Sequence, residues 1–467
     1  MTNKIATQKK ISMKLFQDFD SVSSKEWKQQ IQFEQKGADY NDLVWESPEG
    51  IKVRPFYHKD DYIKGAAIEN TPTSFNICQD IFVHDVAKSV ARAKDSINRG
   101  AESIRFTIQN PDIDISALLT DLPLHDFATY IKMDFLSAEI LKTINEIAKQ
   151  KNAEIYCLTD PVGQLAKTGN WFASSEKNNF EVFSNLDAEN ISISFVNIDA
   201  GLYQNAGANI VQQVAYAMAH FNEYLTNVTN AGKKIVFETS IGSNYFFEIA
   251  KLRAMRQLFA AITAEYNLDL ECHILATPSK RNKTLYDYNV NMLRTTTECM
   301  SAILGGANGV SNLPYDVLYH KSNEFGERIS RNQLLIMKYE SYFDKVSNAA
   351  TGSYYIETLT SQIAEKALQL FKEIESSHGF IKQLAAGTIQ RKISESAEKE
   401  QQLFDEGKLV LLGTNKYPNA SDKMINELDL YPFVKHAARK TLITPIIEKR
   451  LAEKVEQQRL ELEKAPN

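Results

Sequence analysis

From about residue 75 onward, short β-branched or aromatic runs alternate strictly with segments of helical length, and no other feature restricts the fold of this chain as much. The strand candidates are 76–83, 103–108, 129–135, 154–158, 193–198, 234–238, 270–276 and 309–313. Between them the apolar residues recur at helical spacing, as in Ile210, Val214, Met218, Phe221 and Leu225, or Phe247, Ala250, Ala254, Leu258 and Ala261. Asp85 and Ser137 stand where helix N-caps belong, because their short oxygen-bearing side chains can accept from the first free N–H groups. Eight strand–helix alternations within roughly 250 residues match a (β/α)8 barrel. A doubly wound sheet would also alternate, but its first turn is normally glycine-rich, and no GxGxxG occurs in the chain. The expected architecture is therefore an α/β TIM barrel.

The flanks differ from this rhythm. Residues 1–70 read as an irregular interaction arm with one helix near 21–35 and turns marked by Trp45, Pro48 and Gly50. This arm shows no core of its own, so it is expected to pack on something else. The barrel is expected over 71–345, a helical extension over 346–420 and a charged tail over 421–467, with the last stretch, 444–464, read as a solvated helix. With 53 Lys plus Arg against 59 Asp plus Glu, the net charge of −6 argues against a nucleic-acid partner, which would demand a basic surface. No run of roughly 18 apolar residues exists to span a membrane. The four cysteines, Cys78, Cys157, Cys272 and Cys299, stand far apart, which disfavours a disulfide framework or a thiolate zinc site and suits a reducing cytoplasm.

Motifs with a defined chemistry are mostly missing. There is no Walker loop, no GxSxG and no HExxH, and the eight histidines never pair at metal-ligand spacing. His84 and His273 sit in or beside strands and could reach a barrel mouth, although a core or surface role is the plainer reading of each. Residues 199–208, DAGLYQNAGA, follow a strand and open a helix, where a barrel carries its functional loops. Gly207 there permits a positive φ or a close backbone approach. Gly305-Gly306 is most simply a helix C-cap. Lys280-Arg281-Asn282-Lys283 could meet an anionic ligand, although such a run is more often a solvated loop.

Several longer stretches resemble the methylmalonyl-CoA mutase family, and within it the small subunit of the two-chain enzymes. They are NYFFEIAKLRAMRQLFA (244–260), MLRTTTECMSAILGGANGVSNLPYD (292–316), EFGERISRNQLLIMKYES (324–341), TGSYYIETLTSQIAEKA (351–367) and GKLVLLGTNKYPN (407–419). WESPEGIKVRPFY (45–57) is similar to the family segment that leads into the barrel. The resemblance implies a (β/α)8 barrel that threads an acyl-CoA along its axis toward adenosylcobalamin. It also implies a separate cobalamin-binding domain with a DxHxxG motif. No Asp lies two residues before any His here, and only about fifty residues follow the matching stretches, whereas a corrinoid-binding domain needs on the order of a hundred or more. The chain is accordingly expected to lack that domain and to bind no cofactor alone.

Aligned on the shared Ala-Gly-Ala, the histidine of the catalytic members' YHxQEAGA falls on Leu202 and its tyrosine on Gly201. The Asn and Glu that hold the adenosyl group in those members fall on Leu313 and Val317. Their RTHSQTSG strand corresponds to HILATPSK (273–280), of which only Ser279 is kept, and the loop at 69–82 has no tyrosine. Asp199, Ala200, Tyr203 and Ala206–Ala208, with Leu313–Asp316, follow the small-subunit form instead. The resemblance thus implies the non-catalytic small subunit of a heterodimeric methylmalonyl-CoA mutase, an isomerase acting on succinyl-CoA and methylmalonyl-CoA. Its partner would be the large catalytic subunit, which carries the adenosylcobalamin. No residue here is expected to be catalytic, and no metal site is expected. The alternatives are a catalytic barrel that borrows a separate cobalamin-binding chain, or a regulatory barrel that keeps a CoA ester through Ser279, Lys280 and Arg281.

Overall fold

The computed structural model describes residues 18–62, 68, 71–185, 191–229, 231–435 and 439–464. His436 lies outside them. The chain divides into two compact units, Met1–Lys64 and Gly65–Asn467.

In the first unit, helix α1 (Ser24–Glu34) starts with a capping box, in which Ser23 and Glu26 satisfy each other's backbone N–H. A short antiparallel pair, β1 (Trp45–Glu46) and β2 (Lys52–Val53), follows. Trp27 stacks on Phe56 at 5.4 Å and Tyr40 meets the same ring edge-on at 6.3 Å, so this segment holds a small aromatic cluster that its composition did not reveal.

The second unit is a (β/α)8 barrel. Its strands are β3 (Asn76–Phe82), β4 (Ser103–Ile108), β5 (Ala128–Met133), β6 (Ile155–Leu158), β7 (Ile193–Ser194), β8 (Val196–Asp199), β9 (Lys234–Ile241), β10 (Glu271–Pro278) and β11 (Gly309–Ser311). All pairings are parallel, in the order β7-β6-β5-β4-β3-β11-β10-β9-β8. The two ends of that order, β7 and β8, are consecutive in the chain and separated only by Phe195, which is fully buried. They are one strand with a local break, so the sheet closes on itself with eight staves. Each of the eight expected strands is present, and the single candidate at 193–198 is the one that divides.

Helices α2 (Val86–Asn98), α3 (Ile115–Thr120), α4 (Ala138–Lys151), α5 (Pro161–Thr168), α6 (Glu176–Ser184), α7 (Gly201–Asn205), α8 (Ile210–Asn227), α9 (Tyr245–Glu265), α10 (Val290–Leu304) and α11 (Glu324–Leu335) lie between or after the strands. Asp85 and Ser137 cap α2 and α4 as their sequence positions suggest, accepting from Lys88 N and Ile140 N. Helix α10 ends at Gly305, and Gly306 takes φ +88°. The helical segment continues with α12 (Tyr354–Ser376), α13 (Phe380–Ala385) and α14 (Thr388–Asp405). Gly387, in the left-handed region, separates α13 from α14.

The tail corrects its sequence reading. Among its described residues only α15 (Glu453–Lys464) is helical, and Glu453, Glu456 and Leu460 within it are buried. The preceding chain lies against the segments that follow β6, β8 and β10. Ile446 N donates to Ala166 O, Lys449 N to Asn205 O and Leu451 N to Arg281 O. Arg450 is buried, paired with Glu456 at 2.7 Å and donating to Lys283 O. No described helix is long and apolar enough to cross a membrane.

Candidate functional site

A barrel of this kind places chemistry at the C-terminal ends of its strands, above the lower layers of its lumen. In the lower layer Tyr130, Tyr156 and His273 pack together. The tyrosine rings stack at 4.9 Å, and His273 lies 4.3 Å from the Tyr156 centroid. His273 Nε2 is 2.8 Å from Tyr130 Oη. Burial drives the imidazole down to about 3, against the opposing pull of Glu154, so it stays neutral. His273 is therefore a core histidine and does not reach the mouth, whereas His84 is exposed. A Cβ at Gly309 would stand 3.0 Å from Tyr130 Oη, which explains why a glycine faces this ring.

The upper layer is ionic. The strand register sets Asp80 beside Arg105, and the guanidinium grips the carboxylate through Nε at 2.8 Å and Nη2 at 2.5 Å. Arg105 Nη1 also reaches Glu238 at 3.2 Å. Lys132 Nζ lies 3.0 Å from Asp199 Oδ2 and 3.0 and 3.1 Å from the two oxygens of Glu238. Asn197 Nδ2 donates to Glu238 Oε1 at 3.1 Å. Burial works against the charged form of Lys132, but Asp199 and Glu238 override it and hold the ammonium above its ordinary range. For Asp199 burial again opposes the charge, and Lys132 prevails, taking the carboxyl down to about 2. The layer thus sets two basic side chains, Arg105 and Lys132, among three acidic ones, Asp80, Asp199 and Glu238.

A second network ties two loops together beneath the mouth. Asp160 caps α5 (Pro161–Thr168) by accepting from Gly163 N at 2.8 Å. The same oxygen receives Tyr224 Oη at 2.6 Å and faces His220 Nε2 at 2.9 Å, while Asp160 Oδ2 accepts from Asp199 N. The other His220 nitrogen is 2.8 Å from Tyr203 Oη, on the short helix α7 (Gly201–Asn205). With both ring nitrogens engaged, His220 clamps α5, α7 and α8 and presents nothing to solvent.

The residues singled out from the sequence fall in three groups. Leu202 is buried on α7, Leu313 is buried just past β11, and Val317 packs against the Leu285, Tyr286, Leu318 and Tyr319 cluster. Ser279 is buried, with Oγ 2.9 Å from Asn205 Oδ1. The Arg281 guanidinium is buried between Glu400 at 2.5 Å and Lys449 O at 2.7 Å. Lys283 is buried with Glu298 at 2.7 Å. Of the basic stretch 280–283, only Lys280 is exposed. Gly207 has φ +101°, and a Cβ there would meet Ala397 Cβ at 2.5 Å and Arg281 Nη2 at 2.8 Å, so α14 approaches the backbone closely at that point. Among the described residues no group of His, Cys, Asp and Glu could hold a metal ion.

The ionic layer escaped sequence reasoning. Part of its signal was present: Arg105 stands between Ile104 and Phe106, and Lys132 between Ile131 and Met133, so each charge alternates with buried apolar neighbours along its strand.

A family model described as methylmalonyl-CoA mutase matches residues 108–467. The methylmalonyl-CoA mutase small subunit of Porphyromonas gingivalis is 35% identical over 453 residues, covering 88% of this chain and 72% of the relative. The methylmalonyl-CoA mutase of Cereibacter sphaeroides is 37% identical over 240 residues, covering 49% of this chain and 34% of the relative. The mitochondrial methylmalonyl-CoA mutase of Bos taurus is 26% identical over 464 residues, covering 86% of this chain and 62% of the relative. Against the last two, the chain spans less than two thirds of the relative's length.

Proposed function

This chain belongs to the methylmalonyl-CoA mutase family, and from that membership we propose that it is the non-catalytic small subunit of a heterodimeric, adenosylcobalamin-dependent methylmalonyl-CoA mutase. The holoenzyme would interconvert succinyl-CoA and methylmalonyl-CoA, with the cofactor and the reacting residues on a large catalytic partner. The observation that carries the reading is Leu202. Aligned with the catalytic members' histidine, it is a buried side chain with no donor to offer a developing charge. Leu313 and Val317 support it, because apolar groups taken up in packing do not fit the ribose hydroxyls of an adenosyl group. The residues present therefore do not fit adenosylcobalamin, and no reaction step is assigned to this barrel.

The name of the Porphyromonas relative, a small subunit, supports an assembly with a larger chain. What this chain would contribute is a closed scaffold. Its staves leave no free sheet edge, so pairing would use helical surface and the N-terminal arm, across an obligate interface of roughly 2,000–5,000 Å². The test is co-expression with a longer chain of the same family. A 1:1 complex by sizing and mass, with mutase turnover that requires both chains, is expected. A stable monomer that ignores such partners overturns the subunit reading, and turnover by this chain supplied only with adenosylcobalamin and thioester overturns its non-catalytic part.

A further inference from the structure

A guanidinium or ammonium at a barrel mouth can receive an anionic ligand when it is free. Here Arg105 and Lys132 reach the upper lumen from β4 and β5, and neither is free: Asp80, Asp199 and Glu238 occupy them from β3, β8 and β9. The layer is open to solvent at its upper side, since the side chains of Asp80, Lys132 and Asp199 are 39%, 24% and 22% exposed. Below these groups the structure leaves hydrogen-bonding capacity unused. Asn197 is 1% exposed and its Oδ1 has no partner, and the fully buried Ser311 Oγ on β11 has none either. Each is a buried polar atom whose hydrogen-bonding capacity the chain itself leaves unmet.

We propose that the upper lumen is a self-occupied carboxylate-binding site, in which Asp80, Asp199 and Glu238 stand where the carboxylates of a small dicarboxylate would otherwise bind Arg105 and Lys132. The chemistry follows from geometry and charge. The forked Arg105–Asp80 contact is the arrangement a guanidinium makes with any carboxylate, and Lys132 bridges two more. Three carboxylates outnumber two cations, so the field at the mouth repels an incoming anion. Displacing Glu238, whose side chain is only 6% exposed, would leave a buried carboxylate unpaired. The unmodified barrel therefore excludes small anions although its cations remain in place. The inference does not rest on the subunit reading and stands or falls separately from it.

The test uses the full-length chain, succinate as the probe and titration calorimetry, with thermal unfolding in succinate and in sodium chloride of equal ionic strength. Wild type is expected to show no saturable binding. Glu238→Gln combined with Asp199→Asn keeps the shapes and leaves two cations against one carboxylate, and this variant is expected to bind succinate at least about tenfold more tightly than wild type. Adding Arg105→Met to it should abolish the gain. Should the double variant not fold, Asp80→Asn decides the matter, because that carboxylate is over a third exposed and contacts Arg105 alone among the described cations. Saturable succinate binding by wild type as tight as by the variants overturns the proposal. So does a folded variant that gains no binding.

Discussion

The neutral His273 makes the barrel acid-sensitive by an amount that can be worked out. In the unfolded chain an imidazole takes its proton near pH 6.5. In the folded barrel the ring is buried against Tyr130 and Tyr156 and does not protonate until about 3. Between those two values the unfolded state holds one proton more than the folded state, so stability rises with pH across the window. The contribution is fully present above about 6.5 and falls by about 1.4 kcal/mol for each unit toward 3. At pH 5 the loss is roughly 2 kcal/mol, a sizeable part of the 5–15 kcal/mol that holds a typical domain together. Denaturant midpoints measured from pH 7.5 to 5 on wild type and on His273→Gln isolate this group. The substitution lowers stability at every pH by disturbing the packing, but only the wild type should carry the extra slope below 6.5. Burial raises Glu298 and Glu456, which slopes stability the opposite way, and both act equally in the two proteins, so they cancel in the difference. Identical pH slopes for the two proteins would refute the assignment of His273 as a buried neutral ring.

Three further outcomes follow from named contacts. Asp160→Asn weakens a carboxylate that serves Gly163 N, His220, Tyr224 and Asp199 N, and should lower stability by about 3 kcal/mol in denaturant titrations; a change under about 0.5 kcal/mol would contradict the clamp. Gly207→Ala meets both a positive φ and Ala397 Cβ at 2.5 Å, so it should cost about 2 kcal/mol more than Gly352→Ala, which has positive φ but open space. Equal losses for the two would show that α14 does not press on this turn. Arg450→Met removes the partner of the buried Glu456 and the bond to Lys283 O. Limited proteolysis should then cut within 439–464 faster than in wild type, and an unchanged rate would mean that the tail is held by other contacts.

What the sequence made legible is what depends on local pattern. Strand and helix positions follow from β-branched runs, helical periodicity and the caps at Asp85 and Ser137, all of which act within a few residues. The break at Phe195 was not legible, because a single residue out of register leaves the apolar run unchanged while moving the chain from β6 to β9 as its neighbour. The tail shows the same limit at longer range. Glu453 and Glu456 look like residues of a solvated helix until Arg450 and the Leu285 backbone, 171 residues away from Glu456, supply their partners. The ionic layer lies between these cases. A lone charge in an apolar strand cannot be sorted by composition into an error of register, a bulge or an inward group. Once the strands are ordered, however, the parallel register puts Arg105 opposite Asp80 directly, and alternation sends Lys132 and Glu238 to the same side. The topology was readable from the sequence, so these charges could have been placed in the lumen by counting parity along each strand. The positions compared with the catalytic members, Leu202, Leu313 and Val317, lie past the strand ends instead. In this barrel the paired charges sit one layer lower, on the strands themselves.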